Sequence, residues 1–169
     1  MSTGIGYDAH RLAEGRRLVL GGVEIEFERG LLGHSDADVL VHAVIDALLG
    51  AAGLGDIGRF FPDDDPAYDG IDSLELLRRA WGMIFARGYF VGNIDAVIVA
   101  EKPRLAPFIP QMERNVAAAL GIDPMTRRVN VKASTEEGMG FTGRSEGIAA
   151  QAVCTLERSD GDRRFPGLE

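Results

Sequence analysis

Apolar and polar residues change their period several times along the chain, and each change marks an element. Ile5 to Tyr7 reads as a short strand running into Asp8. "RLVLGGVEIEF" (17–27) reads as two strand pieces around Gly21-Gly22, the second setting Val23, Ile25 and Phe27 against Glu24 and Glu26. Leu40, Ala43, Val44, Ala47 and Leu48 recur at helical spacing and predict a helix from Ser35 or Asp36 to Leu49, ended by Gly50 or Gly53. Residues 53–70, "GLGDIGRFFPDDDPAYDG", break every period with glycine, proline and aspartate, so they form a long loop of the kind that usually carries function. Asp72 or Ser73 caps a second helix that closes at Gly88, and "YFVGNIDAVIVA" (89–100) is a strand. A third helix covers 107–121, with prolines in its first turn. Strands at 128–134 and 147–157 flank the glycine-rich turn "EEGMGFTGRSEG". This alternation predicts an α/β chain (an α+β sandwich), with helices packed on one face of a mixed four-stranded sheet. Residues 1–158 read as one domain and 159–169 as a frayed polar tail.

Charge narrows the choice of partner. A net charge of −8 with no basic run argues against nucleic acid and against an anionic membrane surface. An anionic ligand would therefore need a metal or a few placed cations. The single cysteine, Cys154, has no internal disulfide partner, and the start of the chain carries no signal pattern, so a cytoplasmic protein is expected.

Candidate chemistry gathers in "LLGHSDADVLVHAVIDALLG" (31–50), where Asp38, His42 and Asp46 fall four residues apart on an otherwise apolar helix. All three histidines, His10, His34 and His42, lie in the first quarter of the chain. Asp8 and His10, two apart in an extended segment, point the same way. A histidine from a facing helix would complete two imidazoles and a carboxylate, which suits zinc with one position left open. Asp46 would then orient the His42 ring from behind. Asp-x-His also describes a plain turn, and His42 a satisfied core histidine. His34 and Ser35 precede the helix, where unpaired N–H groups favour either an anion or ordinary capping. Asp56, Asp63, Asp64 and Asp65 could accept hydroxyls or bind magnesium, or simply face water. Lys132, Ser134, Thr135, two glutamates and Arg144 around glycines suit either a magnesium–phosphate site or a capped turn.

Together "GYDAHRL", "LGGVEI", "GHSDADVLVHAVIDALLGAAGLGDIGRFFPDDDP", "PFIPQM", "VNVKAST" and "GFTGRSEGIAAQAV" closely resemble the 2-C-methyl-D-erythritol 2,4-cyclodiphosphate synthases, in the expected order over about residues 3–157. With no cytidylyltransferase segment ahead of it, the chain looks like the monofunctional form. The resemblance implies a phosphorus–oxygen lyase of the non-mevalonate isoprenoid route. Such an enzyme closes 4-diphosphocytidyl-2-C-methyl-D-erythritol 2-phosphate into the cyclic diphosphate by intramolecular phosphoryl transfer, releasing CMP.

It implies Asp8, His10 and His42 as ligands of one zinc per subunit, a place other divalent ions can take. Glu137 would hold magnesium or manganese on the substrate diphosphate. His34 and Thr135 would stabilise the transition state. Substrate would meet Asp8, Ala9, His10, His34 and Ser35 beside the metal. It would meet Asp56, Ile57, Gly58, Phe61, Pro62, Asp63, Asp64 and Asp65 along the acidic loop. Ala100, Glu101, Lys102, Pro103, Arg104, Leu105 and Ala106 would take the cytosine, with Ser134, Thr135, Glu136, Glu137, Phe141 and Arg144 completing the site. The resemblance further implies a homotrimer with sites shared between neighbours; an isoprenoid diphosphate on the threefold axis near Arg144 and Glu146 belongs to a rival reading as a binding protein. Ser134 replaces the usual threonine and Arg104 the usual lysine, keeping hydroxyl and charge. Two rivals stay in view: a trimeric binding protein without turnover, and a pyrophosphohydrolase that uses water and gives a linear product.

Overall fold

Residues 1–62 and 64–158 are described by a computed structural model. In chain order they form β1 (Ser2–Glu14), β2 (Leu18–Leu20), β3 (Val23–Ile25), β4 (Arg29–Leu31), α1 (Val39–Ala51), α2 (Ile57–Phe60), α3 (Ser73–Phe85), β5 (Tyr89–Val99), α4 (Ile109–Ala119), β6 (Val129–Ser134), α5 (Gly140–Gly143) and β7 (Gly147–Arg158). Short 3-10 turns cover Pro66–Tyr68 and Pro124–Thr126. The readings for Asp63 and for a tail at 159–169 fall outside the described residues.

Glycine at alternate positions of a strand lets a helix lie almost on its backbone, and α1 meets β1 in this way. A Cβ on Gly4 would stand 2.0 Å from the Ala47 carbonyl oxygen, and one on Gly6 2.0 Å from that of Ala43. The small face of α1 thus rests on the small face of β1, and Asp8, His10 and Leu12 continue the same inward row. Ile148, Ala150, Ala152, Cys154 and Leu156 of β7 and Ile94, Ala96 and Ile98 of β5 extend the core across the sheet. The Cys154 thiol is inside too, within 3.1 Å of the Ala47 carbonyl. Helices α1, α3 and α4 pack on this one side. The opposite side leaves Ile5 62% and Tyr7 58% exposed, with Val153 also open.

The sheet has five strands, ordered β4-β1-β7-β5-β6, where four were expected, and β2-β3 stands apart as a two-stranded ribbon. All pairings are antiparallel except β5-β6, the one pair that α4 joins by a crossover. The extra strand, β4, is only three residues around Gly30, too short to show a period of two. β1 was expected at three residues and has thirteen. Its inward positions are Gly4, Gly6, Asp8 and His10, so the apolar alternation that betrays a strand is missing from the buried face.

Helix α1 starts at Val39, later than the Ser35 or Asp36 expected. Ala37 is left-handed, with φ of 57°, so the backbone cannot run helically through it. Asp38 is the cap: one carboxylate oxygen accepts the Val41 N–H at 3.1 Å and the other the Gly22 N–H at 2.7 Å. No helix among the described residues is long and apolar enough to cross a membrane.

Candidate metal centre and substrate hollows

β1 carries Asp8 and His10 to the place where α1 presents His42, next to Ala43, which Gly6 meets. The three ligand atoms form a small triangle. His10 Nε2 and His42 Nδ1 each lie 2.9 Å from Asp8 Oδ2, and the two nitrogens are 3.2 Å apart. Ligands bonded at about 2.0–2.2 Å to one tetrahedral ion sit roughly 3.3 Å from each other, so the triangle matches that spacing. Among the described residues these three are the group of ligating side chains close enough to share a cation.

Burial works against the charge on Asp8, yet the hydrogen bonds and charge of His10 and His42 outweigh it and hold the carboxyl far below its usual range. Burial likewise opposes charge on His42, but Asp8, then Asp38 and Asp36, raise its affinity for a proton. Two basic nitrogens facing one carboxylate form a place built for a positive charge, whether proton or metal.

The triangle opens into a hollow of about 160 Å³ that His34, Ser35, Ile57 and Phe61 also line. Phe61 is buried edge-on against Tyr68 and walls the hollow from solvent. His34 Nε2–H reaches the Asp65 carbonyl at 3.2 Å. Asp56 caps α2 by accepting the Arg59 N–H, and Asp65 caps the following turn at the Ala67 N–H. A second hollow, about 560 Å³, lies between the segment 100–106, Phe27 and the end of β6 at Ala133, Ser134 and Thr135. Beyond it Glu137 is exposed and left-handed, at φ of 51°. Glu136 is tied to the buried Thr142 hydroxyl, and Arg144 pairs with Glu146 at 2.7 Å.

The YgbB family profile matches residues 1–157. The chain belongs to the YgbB family. It is 60% identical over 156 residues to the 2-C-methyl-D-erythritol 2,4-cyclodiphosphate synthase of Agathobacter rectalis, covering 92% of this chain and 87% of that protein. It is also 60% identical over 158 residues to that of Geotalea uraniireducens, covering 94% and 99%. Among solved structures, the IspF–CDP complex of Plasmodium falciparum superposes with a TM-score of 0.81 at 32% identity, covering 94% of this chain and 97% of that one.

Within this YgbB-family chain the structure brings Asp8, His10, His34, Ser35, His42, Ile57 and Phe61 to one hollow, and Ala100 to Ala106 with Ser134 and Thr135 to another. The two share no lining residue. One sequence expectation needs correction. Asp46 lines the first hollow, but its carboxylate accepts the Ile57 N–H at 2.8 Å and makes no bond to His42. The group behind His42 Nε2 is the Ser73 hydroxyl at 2.9 Å, with Ser35 at 3.1 Å. Asp38, in line with His42 and Asp46, is a structural cap. Two contributors went unread: Ser73, which looked like a mere helix start, and Arg16, whose guanidinium holds the Leu31, Gly33 and Ser35 carbonyls. In the sequence Ser73 carries only the mark of a helix start after Asp72, and its burial shows only in the structure.

Proposed function

We propose that the chain converts 4-diphosphocytidyl-2-C-methyl-D-erythritol 2-phosphate to 2-C-methyl-D-erythritol 2,4-cyclodiphosphate and CMP, with zinc held by Asp8, His10 and His42. The observation that carries this reading is the ligand triangle itself, set in a chain of this family.

The reaction asks little of acid–base groups, because the attacking 2-phosphate is already an anion. What it needs is two negative groups aligned, and neutralisation of the charge that gathers on CMP as it leaves. In an acidic protein a bound cation supplies that neutralisation, acting as a Lewis acid on the phosphate oxygens. The chain's own residues align the ends. His34 leaves the Asp65 carbonyl to donate its Nε2–H to a phosphate oxygen, beside the Ser35 backbone. Phe61 and Tyr68 keep water out, and the carboxylates of Asp56, Asp64 and Asp65 accept the methylerythritol hydroxyls. At about 160 Å³ the metal hollow fits the diphosphate end and not a whole nucleotide. The 560 Å³ hollow takes the cytidine, with the backbone of Ala100 to Ala106 against the base. Thr135 binds a phosphate oxygen, and Glu137 would hold magnesium or manganese, which would neutralise phosphate charge.

Each working site joins the metal hollow of one subunit to the cytidine hollow of a neighbour, in a homotrimer, a reading that the separate linings of the two hollows support. The half-apolar outer face of the sheet, with Ile5, Tyr7 and Val153, supports that assembly.

Phosphorus NMR of the purified chain with the diphosphocytidyl substrate and magnesium, before and after zinc is stripped, tests the reading. A cyclic diphosphate formed with CMP, and lost on stripping, is the expected result. CMP with a linear product would make the chain a hydrolase, and no product from intact, metal-loaded protein would leave only a binding protein.

A further inference from the structure

Behind the metal triangle lies a chain of hydrogen bonds whose direction can be deduced. Asp36, in the loop before α1, accepts the backbone N–H of Ser73 at 3.1 Å and that of Asp38 at 3.2 Å, and it meets the Ser73 hydroxyl. A carboxylate has no proton to give, so the Ser73 hydroxyl must point its hydrogen at Asp36. The lone pair of Ser73 Oγ is thereby left facing His42 Nε2, 2.9 Å away. Ser35 Oγ accepts the Ala37 N–H at 3.1 Å and sits 3.4 Å from Ser73 Oγ, so its own hydrogen has a place away from the ring. The Ser73 hydroxyl thus turns an acceptor toward Nε2, and the Ser35 hydroxyl is free to do the same.

We infer that Ser73 and Asp36 are positioning residues that pin the proton on Nε2 of His42 and so reserve its Nδ1 lone pair for a divalent cation. An imidazole ligand holds a metal well only when its other nitrogen is an N–H with a partner, which fixes both tautomer and ring plane. The partner usually is a carboxylate or carbonyl directly. In this chain it is a carboxylate acting through a buried hydroxyl at the first residue of α3, so the start of α3 is part of the metal site though it contributes no ligand.

This inference rests on the metal reading of Asp8, His10 and His42, and its test separates the two. Zinc affinity is measured by chelator competition for the wild type, Ser73→Ala, Asp36→Asn and the double variant, with melting of each zinc-free protein showing that it is folded. Each single variant is expected to bind zinc about 10–100-fold more weakly. The double variant should lose no more than Ser73→Ala alone, because Asp36 acts through Ser73. In zinc-loaded wild type the His42 Nε2–H should appear in the proton NMR spectrum as a slowly exchanging signal, and in Asp36→Asn, which keeps the shape of the side chain, it should exchange faster. Wild-type affinity in both single variants, an unchanged Nε2–H signal in Asp36→Asn, or additive losses in the double variant would overturn the relay and leave the metal site standing. A wild-type chain that takes up no zinc would sink the metal reading, and the relay with it.

Discussion

Burial works against a proton on His42, while Asp8, Asp38 and Asp36 favour it and prevail. Its folded pKa is raised above the ordinary 6.5, so without metal it contributes stability that is fully present below 6.5 and lost as pH rises through the folded value. Asp38 acts in the same sense: burial, with Asp36 nearby, pushes it from 3.8 up to about 6, and its contribution fades as pH climbs through that range. Asp8 works the other way. Its pKa is depressed, and its contribution, present above 3.8, is lost only as pH falls far into acid. Thermal melts of the zinc-free chain should therefore decline as pH rises past neutrality. Zinc must displace the His42 proton, so the rise in melting temperature on adding zinc should grow as pH rises. Equal zinc-induced shifts at acid and alkaline pH would mean that His42 carries no proton in the metal-free chain.

At the scale of elements, the site's accuracy comes from how closely α1 lies on β1. Gly6→Ala places a Cβ 2.0 Å from the Ala43 carbonyl oxygen and 2.7 Å from the Ala47 nitrogen, both backbone atoms that cannot swing away. The helix must lift, at a cost of about 1–3 kcal/mol, carrying His42 away from Asp8. Urea unfolding and bound zinc should fall together. Gly82→Ala, in α3 with nothing within 4 Å of the added carbon, should instead stabilise by about 0.5–1 kcal/mol and leave zinc untouched.

The same contact explains what could be read from the sequence and what could not. α1, α3, α4 and the apolar strands β5 and β7 announced themselves, because their periods match the faces they bury. β1 hid most of its length, because a strand pressed against a helix needs glycine where others have valine. The clustering of histidines raised Asp8, His10 and His42 as candidates beside a plain turn and a core histidine, and only the family resemblance joined them into one ligand set. Their supports were not legible: Asp38, Asp46 and Asp36 look alike in sequence, and only the folded chain shows that the first caps α1, the second holds Ile57 and the third reaches Ser73.

For the molecule as a whole, the outer face of the sheet is the place where assembly can be tested. Ile5 and Val153 are directly opposed across β1 and β7, and both are exposed in the single chain. Val153→Lys would bury a charge in the proposed trimer and should yield monomers by sedimentation, still binding zinc yet without turnover. Mixing Asp8→Ala chains with Glu137→Ala chains should restore part of the activity, since a mixed trimer can pair an intact metal hollow with an intact neighbour. Complete failure in trimers shown to be mixed would place the whole site within one chain.

The pairing of β1 with β7 also has a consequence in time. Ser2 to Arg11 find their partners between Gly147 and Leu156, so the strand bearing Asp8 and His10 waits until more than a hundred later residues have been synthesised. Until the ribosome has released β7, the centre of the sheet is missing and the strand bearing Asp8 and His10 has a partner only near Leu12 to Glu14, at β4. A nascent chain can expose His42 early, but the triangle of Asp8, His10 and His42 closes only after β7 has been made.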